Sequence, residues 1–115
     1  MGGDLVKVDS AQENNYVALL ARTIPKNKNY LWIGLVADNN RKFMWIDGTT
    51  LSGQYSNWHS GEPNNGGGVE KCVILILHDM TWNDNICVQK RPLPYICEKI
   101  KPWENLNLKF KFFRK

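Results

Sequence analysis

Between Glu62 and Asp84 the chain gathers oxygen donors in two clusters. Glu62-Pro63-Asn64-Asn65 runs into the glycines Gly66 to Gly68 and then Glu70, two residues before Cys72. After a short apolar strand comes Trp82-Asn83-Asp84. Three acids and two amides (Glu62, Asn64, Glu70, Asn83 and Asp84) therefore flank one strand. Carboxylates and amide carbonyls are hard oxygen ligands. Drawn together from loops they suit Ca²⁺, which takes about 6–8 oxygens at roughly 2.3–2.6 Å. The expectation is a Ca²⁺ site whose open positions hold sugar hydroxyls. Composition alone would favour solvated loop acids, so this reading rests on the order and spacing of the motif.

Other chemistry is less well supplied. Cys72, Cys87 and Cys97 lack the close C-x-x-C pairs of zinc modules, and His59 and His78 do not complete a metal pattern. If Cys72 pairs with Cys87, the closed loop of about 15 residues contributes roughly 3 kcal/mol and Cys97 is left over. Three reduced thiols in a cytosolic protein is the other reading. No serine or cysteine stands near a histidine in a nucleophile pattern, and Glu62 and Glu70 read better as ligands than as a glycosidase pair, so no enzyme is expected.

At 115 residues the chain has the size of one domain, and 43% hydrophobic residues with five Trp is a folded composition. The formal charge of +4 is concentrated at the end, where Lys109, Lys111, Arg114 and Lys115 stand. The rest is near neutral, which argues against a nucleic-acid protein. The longest purely apolar run, Val73 to Leu77, is far short of the roughly 20 residues of a membrane-spanning helix. Met1-Gly2-Gly3-Asp4 offers neither a basic segment nor an apolar core, so no signal peptide is expected.

The elements that would position the donors follow from patterning. Gly2 to Val8 reads as an extended lead-in. Ser10-Ala11-Gln12-Glu13 is a capping box, and Tyr16, Val17, Leu19 and Leu20 give a packing face to a helix ending before Pro25. Lys26 to Asn29 is a polar turn. Tyr30 to Leu35 and Phe43 to Ile46 are strands, separated by the polar loop Asp38 to Lys42 and stopped by Asp47-Gly48. From Thr49 to Gly68 the chain is irregular, pinned by Leu51, Tyr55 and Trp58; a loop this long in a compact domain is usually functional. Lys71 to Leu77 is a central strand. Pro92 and Pro94 mark an irregular approach to a last strand, Tyr95 to Glu98. The fold class expected is α+β with an antiparallel sheet. The domain is expected over residues 1–100, with a basic C-terminal tail over 101–115.

These residues in this order resemble a C-type lectin-like domain over about Gly2 to Lys99. The resemblance rests on Trp32-Ile33-Gly34-Leu35, Trp45, Asp47-Gly48, Trp58 and Gly61-Glu62-Pro63-Asn64. It continues with the Glu70/Cys72 pair, Trp82-Asn83-Asp84, Cys87 and Tyr95-Ile96-Cys97-Glu98. It implies a lectin-like fold, an antiparallel sheet flanked by helices with a long projecting loop region. It also implies an inner disulfide, Cys72–Cys87, and an outer one joining Cys97 to a cysteine in a first helix. That helix and the opening strand have no counterpart here, so the expectation is an N-terminally truncated domain with one remaining helix. A missing outer disulfide would cost about 2–5 kcal/mol, and an uncovered sheet edge would invite association.

The resemblance also implies the chemistry. Residues matching Glu62, Asn64, Glu70, Asn83 and Asp84 hold calcium in the family, and the peptide before Pro63 is cis. Each amide would give its oxygen to the metal and its NH₂ to the sugar. Glu-Pro-Asn resembles the mannose type, whereas the galactose type usually carries Gln-Pro-Asp. The implied partners are glycans with vicinal equatorial 3- and 4-hydroxyls: mannose, glucose, N-acetylglucosamine and fucose. Weak single-site affinity would call for clustering. A second calcium site is not expected, because Lys71 and Asn65 stand where acids would be and only Asp38 remains. A secreted or extracellular location is implied. The alternative is a structural or protein-interaction module, for example of a mineralising matrix. Trp32, Trp45, Trp58 and Trp82 are expected in the core, and His59 at the rim.

Overall fold

The computed structural model describes residues 4–24, 29–88, 93–99 and 110–114. The expected turn at Lys26 and the approach at Pro92 lie outside them, as does the side chain of Cys97. Ser10 caps the helix α1 (Ala11–Arg22): its backbone is extended and its hydroxyl accepts from the Glu13 amide at 3.1 Å. The helix buries Asn14, Val17, Ala18 and Ala21, an i, i+3, i+4, i+7 stripe. This corrects the expected face, because Tyr16 and Leu19 are 52% and 58% exposed. Two alanines on the buried stripe let the helix lie close to the sheet, a preference for small side chains that apolar residues alone do not announce.

Among the described residues seven strands form one sheet: β1 (Asp4–Leu5), β2 (Tyr30–Ala37), β3 (Phe43–Trp45), β4 (Cys72–Ile76), β5 (Thr81–Asn85), β6 (Tyr95–Lys99) and β7 (Phe110–Arg114). Their order is β1-β6-β2-β4-β5, with β3 on β2 and β7 on β6. The pairings are antiparallel apart from β2 with β6, which are parallel at Trp32 and Tyr95. The α+β class therefore holds, with one parallel pair added. β4 is central as expected, and Val73, Ile74 and Leu75 are all buried, the mark of a strand covered on both faces. Phe110–Arg114, read from sequence as part of a basic tail, pairs with β6. A strand added to a sheet edge is held by backbone hydrogen bonds, so its side chains need show no period.

The second donor cluster, expected on a loop, lies on β5. Asn83 pairs with Ile74 and Asp84 with Val73. Along β5 burial alternates, so Trp82 and Asp84 point to the core and Asn83 points away from it. Around Trp82 the core is aromatic: the rings of Trp45, Tyr55 and Trp58 meet it edge-on at 5.7, 5.8 and 5.7 Å. The indole nitrogen of Trp82 donates to Asn14 Oδ1 at 2.8 Å, and Asn14 Nδ2 donates to the Met80 carbonyl at 2.8 Å. Helix α1, read from sequence as a packing element, thus also supplies a buried amide that satisfies the core.

Between β3 and β4 the chain is irregular, and β5 holds it in place. The Trp82 amide donates to Asn57 O at 2.8 Å, and the His59 amide donates back to Trp82 O at 2.8 Å. The disulfide Cys72–Cys87 joins β4 to the segment leaving β5. β2 is bulged against β4 between Ile33 and Val36, which frees Gly34 to meet the N-terminal segment instead. The Gly34 amide donates to Val6 O at 2.8 Å, and a Cβ on Gly34 would stand 2.8 Å from Leu5 O.

Backbone oxygens cannot move aside as a flexible side chain can. Gly34→Ala should therefore destabilise the domain by about 1–3 kcal/mol, the scale of overpacking. The urea unfolding midpoint measures it, and an unchanged midpoint would show that β1 does not lie against β2 in this way.

Candidate metal centre

The loop carrying Glu62, Asn64 and Glu70 is built by its own hydrogen bonds. The Glu62 amide closes a turn onto His59 O at 2.9 Å, and the Glu62–Pro63 peptide is cis. Asn65 takes the left-handed conformation with φ 50°, which asparagine tolerates, and its Oδ1 accepts from the Glu70 amide at 3.1 Å. The Gly66 amide donates to Asn64 Oδ1 at 3.1 Å and to Glu70 Oε1 at 2.6 Å. Gly67 has φ 69°, a conformation that costs glycine nothing and L-residues strain.

Asp84 receives this loop. Its carboxylate is fully buried. Oδ1 accepts from the Asn64 amide at 3.1 Å, and Oδ2 accepts from the Asn65 amide at 2.8 Å and from Arg41 Nη2 at 2.5 Å. Arg41 also donates from Nη1 to the Glu70 carbonyl. Burial pushes the Asp84 carboxyl up, but the Asn65 amide, the Arg41 guanidinium, the Asn64 amide and a hydrogen bond shared with Glu62 outweigh it and hold it below the usual range. Glu62 moves the other way. Burial, the hydrogen bond to Asp84 and the Asp84 charge all raise it, against the Asn64 amide, which lowers it.

Four of the five residues read as oxygen donors are thus linked: Glu62 and Asn64 directly to Asp84, and Glu70 through Gly66 and Arg41. Asn83 is not among these contacts, because it leaves β5 on the opposite face. Its Oδ1 is buried with no hydrogen-bond partner. An unpaired buried acceptor costs about 1–3 kcal/mol, which is what an amide carbonyl meant for another partner would show. Three carboxylates and two amide oxygens fit Ca²⁺ in chemistry. In this conformation the oxygens of Glu62, Asn64, Glu70 and Asp84 accept from the loop's own amides, and among the described residues no group of three acidic, histidine or cysteine side chains is arranged to hold an ion. His59 lies aside at the rim, with Nδ1 3.1 Å from Asp79 Oδ2.

Arg41, which the sequence reading places in a polar loop, is the partner of Asp84 that this reading does not single out. The signal lay in β5. Trp82 and Asp84 share a face by period 2, so a buried Trp implies a buried carboxylate, and a buried carboxylate needs a cation. Asp38 closes the loop of Arg41, its Oδ1 accepting from the Asn40 and Lys42 amides at 2.8 and 2.9 Å.

Residues 1–99 match the family described as Lectin C-type domain. The chain is similar to C-type lectin domain family 4 member G of Mus musculus, 36% identical over 102 residues, covering 85% of this chain and 32% of the relative. It is also similar to Hepatic lectin of Gallus gallus, 34% identical over 103 residues, covering 89% of this chain and 46% of the relative. The chain thus spans less than half of either. Among solved structures, the cow C-type carbohydrate-recognition domain of CD23, crystallised in the presence of a GlcNAc2Man3 oligosaccharide, superposes with a TM-score of 0.62 at 36% identity. That match covers 74% of this chain and 60% of the other.

The raised Glu62 carboxyl gives a test of the geometry. Because protonated Glu62 is favoured beside Asp84, the folded state is penalised at neutral pH, where Glu62 is ionised, and is relieved as pH falls below its raised pKa. Glu62→Gln mimics the protonated form. It should stabilise the metal-free chain at pH 7 by about 0.2–1 kcal/mol, the scale of an exposed charge pair, and the gain should vanish toward pH 4. Urea unfolding in EDTA at the two pH values reads this, and a loss of stability at pH 7 would place the two carboxylates apart.

Proposed function

The chain belongs to the Lectin C-type domain family, and from that premise we propose that it binds carbohydrate through Ca²⁺ held by Glu62, Asn64, Glu70, Asn83 and Asp84. The observation that supports this most is the junction of the two clusters. The Asn64 amide donates to Asp84 Oδ1 although the residues are 20 apart in sequence, so the long loop is docked on Asp84 of β5. The Asn83 Oδ1, buried without a hydrogen-bond partner, is an amide oxygen still open to a ligand.

Bound Ca²⁺ would supply Lewis-acid coordination to two neighbouring sugar hydroxyls. The chain's own residues would do the rest. Glu62 and Glu70 accept from those hydroxyls, and the NH₂ groups of Asn64 and Asn83 donate to them, which is why amides and not acids are wanted at those positions. The resemblance of Glu-Pro-Asn at residues 62 to 64 to the mannose type supports a ligand with equatorial 3- and 4-hydroxyls; discrimination against galactose would come from hydrogen-bond direction, since a hydroxyl pointing the wrong way leaves polar groups unpaired. The cow CD23 domain, crystallised with a mannose-containing oligosaccharide, is consistent with that class. The Cys72–Cys87 disulfide supports an extracellular or secreted setting, since disulfides persist in oxidising compartments. No catalytic step is assigned.

Chromatography on mannose–agarose tests the proposal. The chain should be retained in calcium, released by EDTA, released by acid because protonated carboxylates do not hold the ion, and not retained on galactose–agarose. Retention that ignores EDTA would sink the lectin reading. Passage through the column with an unchanged calcium response would instead favour a structural module that keeps the ion without the sugar.

A further inference from the structure

The cation paired with Asp84 joins the two halves of the site. One nitrogen of the Arg41 guanidinium donates to Asp84 Oδ2 on β5, and another donates to the Glu70 carbonyl at the end of the ligand loop. A planar fork makes both contacts at fixed geometry, which an ammonium cannot. The guanidinium carbon lies 5.1 Å from the centre of the Phe43 ring, and Phe43 meets Trp58 edge-on at 5.0 Å, so the fork is set against the aromatic core. Its backbone is held as firmly. Arg41 takes φ 63°, its amide donates to Asp38 O at 3.1 Å, and the same short loop is pinned by Lys71 Nζ on Asn39 Oδ1. An arginine in the left-handed region is uncommon and persists where the surroundings over-determine it.

We propose that Arg41 is a positioning residue, a resident cation that keeps the loop from Glu62 to Glu70 docked on β5 before any ion arrives. Asp84 has its charge balanced by Arg41, so its remaining lone pairs stay aimed at the Asn64 and Asn65 amides. An ion entering beside it then meets a pre-organised loop and spends little binding energy on ordering it. The consequence for calcium affinity rests on the calcium reading given above; the docking of the loop does not. A guanidinium that merely competed with calcium for Asp84 would have the opposite effect on affinity.

Amide hydrogen exchange in EDTA, read residue by residue by NMR on the full chain, tests the docking. In Arg41→Met the Asn64 and Asn65 amides should exchange about tenfold faster or more, while Val73 and Leu75 of β4 change by no more than about twofold. Arg41→Lys should fall between, because one prong is lost and the charge is kept; it carries the test if the methionine variant does not fold. Unchanged exchange at Asn64 and Asn65 overturns the proposal, and so does a uniform acceleration that includes β4. Calcium titration by calorimetry supplies the second arm: Arg41→Met should weaken binding by about tenfold, and tighter binding overturns the positioning role. If the wild-type chain shows no calcium heat at all, the calcium reading falls, and the exchange result still decides Arg41.

Discussion

A carboxylate placed inside a protein costs several kcal/mol unless donors meet it from every side, and Asp84 imposes that constraint on this domain. Its donors come from distant parts of the chain: the Asn64 and Asn65 amides, 20 and 19 residues upstream, and Arg41, 43 residues upstream. The long loop cannot wander far from β5 without stripping Asp84 of partners. The loop between β2 and β3 is held by the same requirement. Much of what looks irregular between β3 and β4 is therefore fixed by one buried charge.

The strand that carries this charge also carries the centre of the core. Trp82 and Asp84 share a face of β5, and three aromatic rings close around Trp82 while Asn14 of the helix satisfies its indole nitrogen. The amide and carbonyl of Trp82 bind Asn57 and His59, at the start of the segment that leads to Glu62. Fold and site are thus not separable layers. The residue that anchors the core and the residue that anchors the loop from Glu62 to Glu70 are two positions apart on one strand, so rigidity of the first is passed to the second. The mannose-class reading depends on this rigidity, because discrimination between hydroxyl directions needs amides that do not reorient.

Much of this was legible from residue order. The β-branched and aromatic runs mark β2, β3, β4 and β6, Ser10 marks the helix start, and the motifs from Trp32 to Glu98 in their order mark the family. What the sequence hid has physical causes. The helix face was misread because Ala18 and Ala21 bury as well as leucine where two elements approach closely, while Tyr16 and Leu19 stay at the surface. β5 reads as loop because Asn83-Asp84-Asn85 has little strand propensity, and its pairing with an apolar β4 overrides that. β7 is held by edge pairing that leaves no pattern. Arg41 was hidden because its partners are far away in sequence, and a lone arginine in a polar turn looks like any solvated cation.

The central claim is that the donors of the loop and of β5 form one calcium site. The most direct measurement follows the side-chain amide signals of Asn64 and Asn83 by NMR during a calcium titration. Coordination through the amide oxygens predicts that both NH₂ signals move together and saturate at one ion per chain, with the Asn64 and Asn65 backbone amides following. A titration in which calcium moves neither side chain, or moves Asn64 and leaves Asn83 where it was, would contradict the account.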